Sequence, residues 1–371
     1  MNKNSTEIAK IETLESKRFF VSRVFEQVSN HPTIIGNRIF IPFIGKGFQA
    51  VDKETFNSLY IVDEMLTDYC CNGKIFTQNP YSGQIKIYQL ENGTLLSEFY
   101  SNVIIGVGVQ HSNYIVSINK EKTSFVKLDL QKNEIVWQVP IPGERQPRTA
   151  FRTDGKRIIY TNYLSDIFCL DLETGDLLWE KKLSPMANPT TFNFKVGSLG
   201  IFNESLLLSV FDNFIVSLDL RTGDVNWEIE TSFPQPYFKV YPDGMLYCFI
   251  GDMSKKTLEY RAIDCQNGIT NISVYLQDQF KMIKTPFFVP LPAAYFVTND
   301  EIYFTIRESR YFFGIDKLTG EICYEFENDF PFMGGDLVIN DGRIFLLDES
   351  YRLLVIEDNK ISPKSQFGTV L

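Results

Sequence analysis

Two stretches of eleven residues carry the clearest pattern of apolar and polar positions in the chain: CLDLETGDLLW from Cys169 and SLDLRTGDVNW from Ser217. Apolar positions alternate into Asp171, a turn follows through Thr174 and Gly175, and a second apolar run ends in Trp179. Alternation on both sides of a short Gly-containing turn predicts a β-hairpin. Asp171 can accept hydrogen bonds from turn amides, Gly175 supplies a positive φ, and Trp179 offers the unit's largest apolar area to a neighbour. The frame recurs from Ala50, Ile87, Lys127, Ala262 and Gly314, and in shortened form from Val355. Asn133 replaces Gly in the Lys127 copy and keeps the turn. Phe56 replaces it in the Ala50 copy, where a different turn is expected.

Each hairpin is preceded by a strand-like run that opens on an Asn, Asp or Gly turn, such as NRIFIPF from Asn37, NGKIFTQ from Asn72 and DGRIFLL from Asp341. From Asp52 to Asp316 the frame advances six times in 264 residues, or 44 per repeat. That is the period of a four-stranded propeller blade. The fold predicted is therefore all-β: an eight-bladed β-propeller of four-stranded antiparallel blades, with a seven-bladed ring as the alternative. Residues 1–18 read as a polar N-terminal segment and 19–371 as a single propeller domain. The strand-like residues 19–26 are expected to close the ring by completing the blade formed by the other terminus.

The repeat resembles A-x-D-x-x-T-G-x-x-x-W, the tryptophan-docking motif of the quinoprotein (PQQ-like) β-propellers, most closely at Cys169 and Ser217. The resemblance runs from about Pro32 to Asp358 and implies the fold, with Trp137, Trp179 and Trp227 docked between neighbouring blades. It implies no single activity, because the repeat serves dehydrogenases, assembly scaffolds and plain binding proteins alike. The dehydrogenases carry a vicinal disulfide beside their cofactor. Here the vicinal pair, Cys70 and Cys71, runs straight into the Asn72–Gly73 turn, at the wrong end of a blade. No cofactor and no quinone chemistry is expected.

Composition changes the picture little, with 44% hydrophobic residues and 32 Phe providing ample core material. A formal charge of −10 disfavours nucleic acid and anionic membranes and favours a basic protein partner. The N-terminus lacks the apolar core of a secretory signal and no apolar run is long enough to span a bilayer, so a cytoplasmic monomer is expected. The six cysteines fall mostly within strands, which suits reduced buried thiols. His31 and His111 lack a neighbouring Cys or carboxylate pattern, and no metal site is expected. No nucleophile elbow or phosphate loop stands in a strand-turn-helix setting, and carboxylate pairs such as Asp348–Glu349 are ordinary on surface loops.

The short Asn-Gly and Thr-Gly turns fall at one end of the ring. Longer, Pro-rich and aromatic-rich connections fall at the other, where loops on a rigid scaffold usually carry function. The residues expected to bind there are Tyr81, Arg145, Arg148, Tyr163, Asp212, Phe233, Tyr237, Arg307, Arg310, Phe332 and Tyr351, a set with the composition of interface anchors. The expected function is that of a non-catalytic protein-binding propeller of the scaffold or immunity-partner kind, with no catalytic residues. The alternative is a small-molecule binder or enzyme using the mouth of the central channel.

Overall fold

The structure is a computed structural model that describes residues 19–358, except 65, 80, 143–146, 163–165, 183–195, 211–213, 232–236, 253–254, 256, 277–291, 307–308 and 334–336. The described residues form eight four-stranded antiparallel sheets and no helix. Blade one is β2 (Thr33–Ile35), β3 (Arg38–Phe43), β4 (Gly47–Asp52) and β5 (Ser58–Val62), hydrogen-bonded in that order. Six blades repeat this order. Blade two runs from β6 (Leu66–Cys71) to β9 (Leu95–Tyr100), blade three from β10 (Val103–His111) to β13 (Glu134–Pro140), and blade four from β14 (Pro147–Thr153) to β17 (Leu177–Lys181). Blades five, six and seven run from β18 (Val196–Phe202) to β21 (Val225–Glu230), β22 (Tyr237–Val240) to β25 (Thr270–Tyr275), and β26 (Pro292–Val297) to β29 (Ile322–Glu327).

The eighth blade departs from the others. Its strands β30 (Val338–Asn340), β31 (Arg343–Leu347) and β32 (Leu353–Asp358) are followed in the sheet by β1 (Phe19–Phe25), so the outermost strand comes from the other end of the chain. Val21 lies opposite Ile356 and Phe25 opposite Leu353, and Ser22 Oγ donates to the Val355 carbonyl at 3.3 Å.

Among the described residues there is no single central core. The buried apolar side chains fall into eight clusters, one at each seam between neighbouring blades. Ile159 and Cys169 of blade four pack with Leu206, Leu208 and Val216 of blade five. Phe345, Leu347 and Val355 of blade eight pack with Ile39, Ile41 and Val51 of blade one, which closes the ring. Middle strands bury both faces, whereas outer strands alternate or are largely exposed. A blade is thus a sheet between two cores, which explains why its middle strands read as almost continuous apolar runs.

The hairpin turns show why the repeat keeps its residues. Asp171 Oδ1 accepts the amides of Glu173 and Thr174, both at 2.8 Å, and the Asp171 carbonyl accepts the Gly175 amide at 2.9 Å. The Leu172 amide then donates to the Lys156 carbonyl in the preceding turn of the same blade, so both turn types lie at one end and are bonded together. Beyond each such turn the outer strand carries a β-bulge, as at Leu178, opposite the step from Cys169 to Leu170. Phe56 does not produce a different turn: it adopts φ +57° and its amide donates to the Asp52 carbonyl, as Gly175 does to Asp171.

At four seams among the described residues the outer strand of one blade reaches the turn of the next. Trp179 Nε1 donates to the Leu220 carbonyl at 3.0 Å, Trp137 to Leu172 at 3.2 Å and Trp227 to Cys265 at 3.2 Å. Tyr60 makes the equivalent bond through its hydroxyl to the Leu90 carbonyl at 2.6 Å. The indole of Trp179 lies against Gly223, where an added Cβ would come within 2.9 Å of the ring. Gly223 also sits at φ +75°, so a side chain there is opposed by conformation and by contact together.

Removing this docking should be costly. Trp179→Ala is expected to lower unfolding free energy by about 3 to 5 kcal/mol, the range for losing a buried large aromatic. Urea unfolding checks it, and a loss under about 1 kcal/mol would show that the ring contributes no more than a surface residue. The turn carboxylates give a second expectation. The Arg221 guanidinium beside Asp219, helped by two turn amides, holds its carboxyl below the ordinary range, and the Thr55 amide and hydroxyl do the same for Asp52. A carboxyl lowered on folding stabilises fully above its unfolded pKa of about 3.9, and that contribution is lost as pH falls through the lower folded value. Urea midpoints should therefore fall below about pH 4, with a shallower fall in Asp219→Asn. Parallel curves for the two proteins would refute this.

Candidate binding face

The end of the ring opposite the bonded turns carries the connections between second and third strands and the crossovers between blades. Its best-defined corner is the loop joining β31 to β32. Asp348, fully buried, accepts the amides of Ser350 and Arg352 on Oδ1, both at 3.0 Å. Its Oδ2 accepts from Arg352 Nε at 2.9 Å and from Asn328 Nδ2 at 3.1 Å. A buried carboxylate is tolerable only when paired and hydrogen-bonded, and here it is both.

That hub fixes two aromatic side chains at the surface. Tyr351 is held at φ +61°, a conformation that disfavours a bulky residue by about 1 kcal/mol or more. Its amide donates to the Asp348 carbonyl and its carbonyl accepts the Val28 amide, both at 2.9 Å, which leaves the side chain 45% exposed. Phe330, 42% exposed, lies under the Arg352 guanidinium, 4.7 Å from carbon to ring centroid. Arg352 also stands 3.8 Å from Asp329. Arg310 pairs with Glu327 at 2.6 Å, and its carbonyl accepts the Asn328 amide, which ties it to the same corner. Arg310, Phe330, Tyr351 and Arg352 therefore form one group across blades seven and eight.

The other expected residues are distributed differently. Tyr81 projects from blade two, 94% exposed, on a turn in which Asn79 Oδ1 accepts the amides of Tyr81 and Ser82 at 3.0 Å. Phe332 is a correction: it is 2% exposed, packs against Phe326 and bridges to Asp348, because the crossover tucks it into the core between blades seven and eight. Arg148 and Tyr237 are corrections of placement. They belong to β14 and β22, since each crossover passes directly into the inner strand that its blade requires. Arg145, Tyr163, Asp212, Phe233 and Arg307 lie outside the described residues. Phe330 and Arg352 were not expected from sequence. The only local signal was an Asp two residues before Ser and four before Arg, the pattern of a carboxylate folding back on its own loop.

Burial pushes the thiols of Cys169, Cys248 and Cys265 up to about 12, far from a reactive thiolate. Cys70 precedes the Asn72–Gly73 turn, with Cys71 opposite Lys74 across it. Among the described residues no three His, Cys, Asp or Glu side chains gather as metal ligands, and no helix is long and apolar enough to cross a membrane.

The sequence profile described as outer membrane protein assembly factor BamB matches residues 82–236. No curated protein matches in sequence. Among solved structures, BamB from Moraxella catarrhalis aligns with a TM-score of 0.60 at 10% identity, covering 91% of this chain and 99% of that one. The computationally designed Ika8 protein gives 0.66 at 11%, covering 91% and 98%, and a europium-containing methanol dehydrogenase gives 0.60 at 12%, covering 91% and 84%. At these identities the likeness is one of fold. The resemblance to the PQQ-like β-propeller repeat family holds in the ring of eight blades and in the tryptophan-docking repeat.

A thiol-specific reagent should leave Cys169, Cys248 and Cys265 unlabelled in the folded protein while modifying the exposed Cys323. Mass spectrometry of labelled peptides distinguishes them. Rapid labelling of any of the three before denaturant is added would contradict their burial.

Proposed function

We propose that this chain is a non-catalytic protein-binding propeller that engages its partner through the loop end, around the corner built on Asp348. The carrying observation is the rigid presentation of Tyr351 and Phe330. A tyrosine kept at positive φ by a fully bonded loop, followed by an arginine that caps a phenylalanine, is pre-ordered and loses little entropy on binding. Aromatic and Arg side chains in such settings dominate protein interfaces. The matched profile, described as an assembly factor, supports a role in protein interaction.

The finer role, as scaffold or immunity-type partner, belongs to the same proposal, as do a cytoplasmic setting and a basic partner. For the last, the support is the formal charge of −10. Long-range attraction to a basic protein would speed encounter and weaken with salt.

Crosslinking and purification from the native source would identify the partner, and an alanine scan at both ends of the ring would then locate its footprint. Tyr351→Ala or Phe330→Ala should weaken binding by about 2 kcal/mol or more, with Tyr81→Ala and Arg310→Ala testing how far the footprint extends. Loss of binding confined to substitutions in the Thr-Gly turns would sink the assignment to the loop end.

A further inference from the structure

The outer rim of the ring holds a second surface, at the end opposite Asp348. In the outer strands of blades one to seven the bulge lies just beyond the Thr-Gly type of turn, and it brings two successive side chains out of the ladder. Blades two, three and four place aliphatic pairs at this point: Leu95 and Leu96, Ile135 and Val136, Leu177 and Leu178, all between 45% and 53% exposed. The position does not require such residues. Blade six has Thr270 and Asn271 there, on the same bulged strand pairing. Three adjacent blades thus keep exposed aliphatic pairs where a sister blade is polar.

Charge runs alongside. The charged residues of β9, β13, β17 and β21 are Glu98, Glu134, Glu180, Glu228 and Glu230, all exposed, together with Lys181 at the far end of its strand. Side chains two apart on a strand share a face. Leu96 therefore lines up with Glu98, and Leu178 with Glu180, on the side turned away from the docked Trp179. The bulges break the edge ladder, so an added β-strand has no continuous template and recognition falls to these side chains.

From this we propose that the rim of blades two to four is a docking surface for a basic amphipathic segment of a partner protein. Its apolar side covers the aliphatic pairs and its Lys or Arg residues meet the glutamates. A second copy of the chain would bring glutamate against glutamate, and an anionic lipid surface would be repelled. The surface is separate from the loop end and does not depend on the reading of that end.

The test uses the full chain and fluorescence anisotropy with two labelled helical peptides, one of Leu and Lys and one with Glu in place of Lys. The Lys peptide should bind, and the triple variant Leu96→Ser, Val136→Ser, Leu178→Ser should weaken it by roughly tenfold or more, while Tyr351→Ala leaves it unchanged. Undiminished binding to the triple variant, equal binding of the Glu peptide, or loss only in Tyr351→Ala would each overturn the proposal. So would a concentration-dependent dimer in sedimentation that the triple variant abolishes, which would make a second copy the occupant. Should the triple variant fail to fold, Leu96→Ser and Leu178→Ser singly decide by the same readout.

Discussion

An eight-bladed ring with no central core stands or falls on how one blade holds the next. In this protein the bond that recurs runs from an outer-strand ring to a carbonyl just past the Asp of the neighbouring turn, with a glycine beneath the ring. It supplies direction as well as area: burying apolar surface is indifferent to register, whereas an indole N–H and a single carbonyl set both the spacing and the angle between blades. The Asp, the Gly and the Trp are therefore one device distributed over two repeats.

The seam between blades eight and one inverts that device. The aromatic sits in the turn itself, as Phe56, and the reaching side chains are cationic. Arg23 of β1 and Arg343 of β31 place their guanidinium carbons 5.2 and 4.9 Å from its ring centroid. Arg343 also donates to the Lys53 carbonyl, the place taken elsewhere by the indole N–H, and Lys53 pairs with Asp341. Cation–π contacts contribute about 0.5 to 2 kcal/mol each, so two of them offset the cost of a left-handed phenylalanine.

The features legible in the chain are the ones that repeat locally. Period, blade type and the bonded end follow from residues within one hairpin, so the pattern from Cys169 to Trp179 carries them in full. What could not be read depends on distant parts meeting. Phe56 looks like a broken turn until Arg23 and Arg343 are seen around it. Phe332 looks like a loop aromatic until the crossover is seen to dip into the core, and Phe330 and Arg352 become a group only because Asp348 gathers Asn328 and Arg352 about one carboxylate. Arg148 and Tyr237 were read as loop residues because each crossover runs into its inner strand without the turn signal that opens the second strand.

The strand that completes blade eight is the first part of the described chain to be synthesised and its partner, β32, the last. Until residues 353–358 are made, FFVSRVF has no native neighbour in its sheet, and Arg23, which it carries to the blade-one turn at Phe56, is not anchored there. A nascent chain therefore carries an unpaired apolar edge until those residues are made, a hazard for strand-mediated aggregation. Completion of the ring therefore waits on residues 353–358, and the two ends of the described chain are joined in one sheet only once both are present.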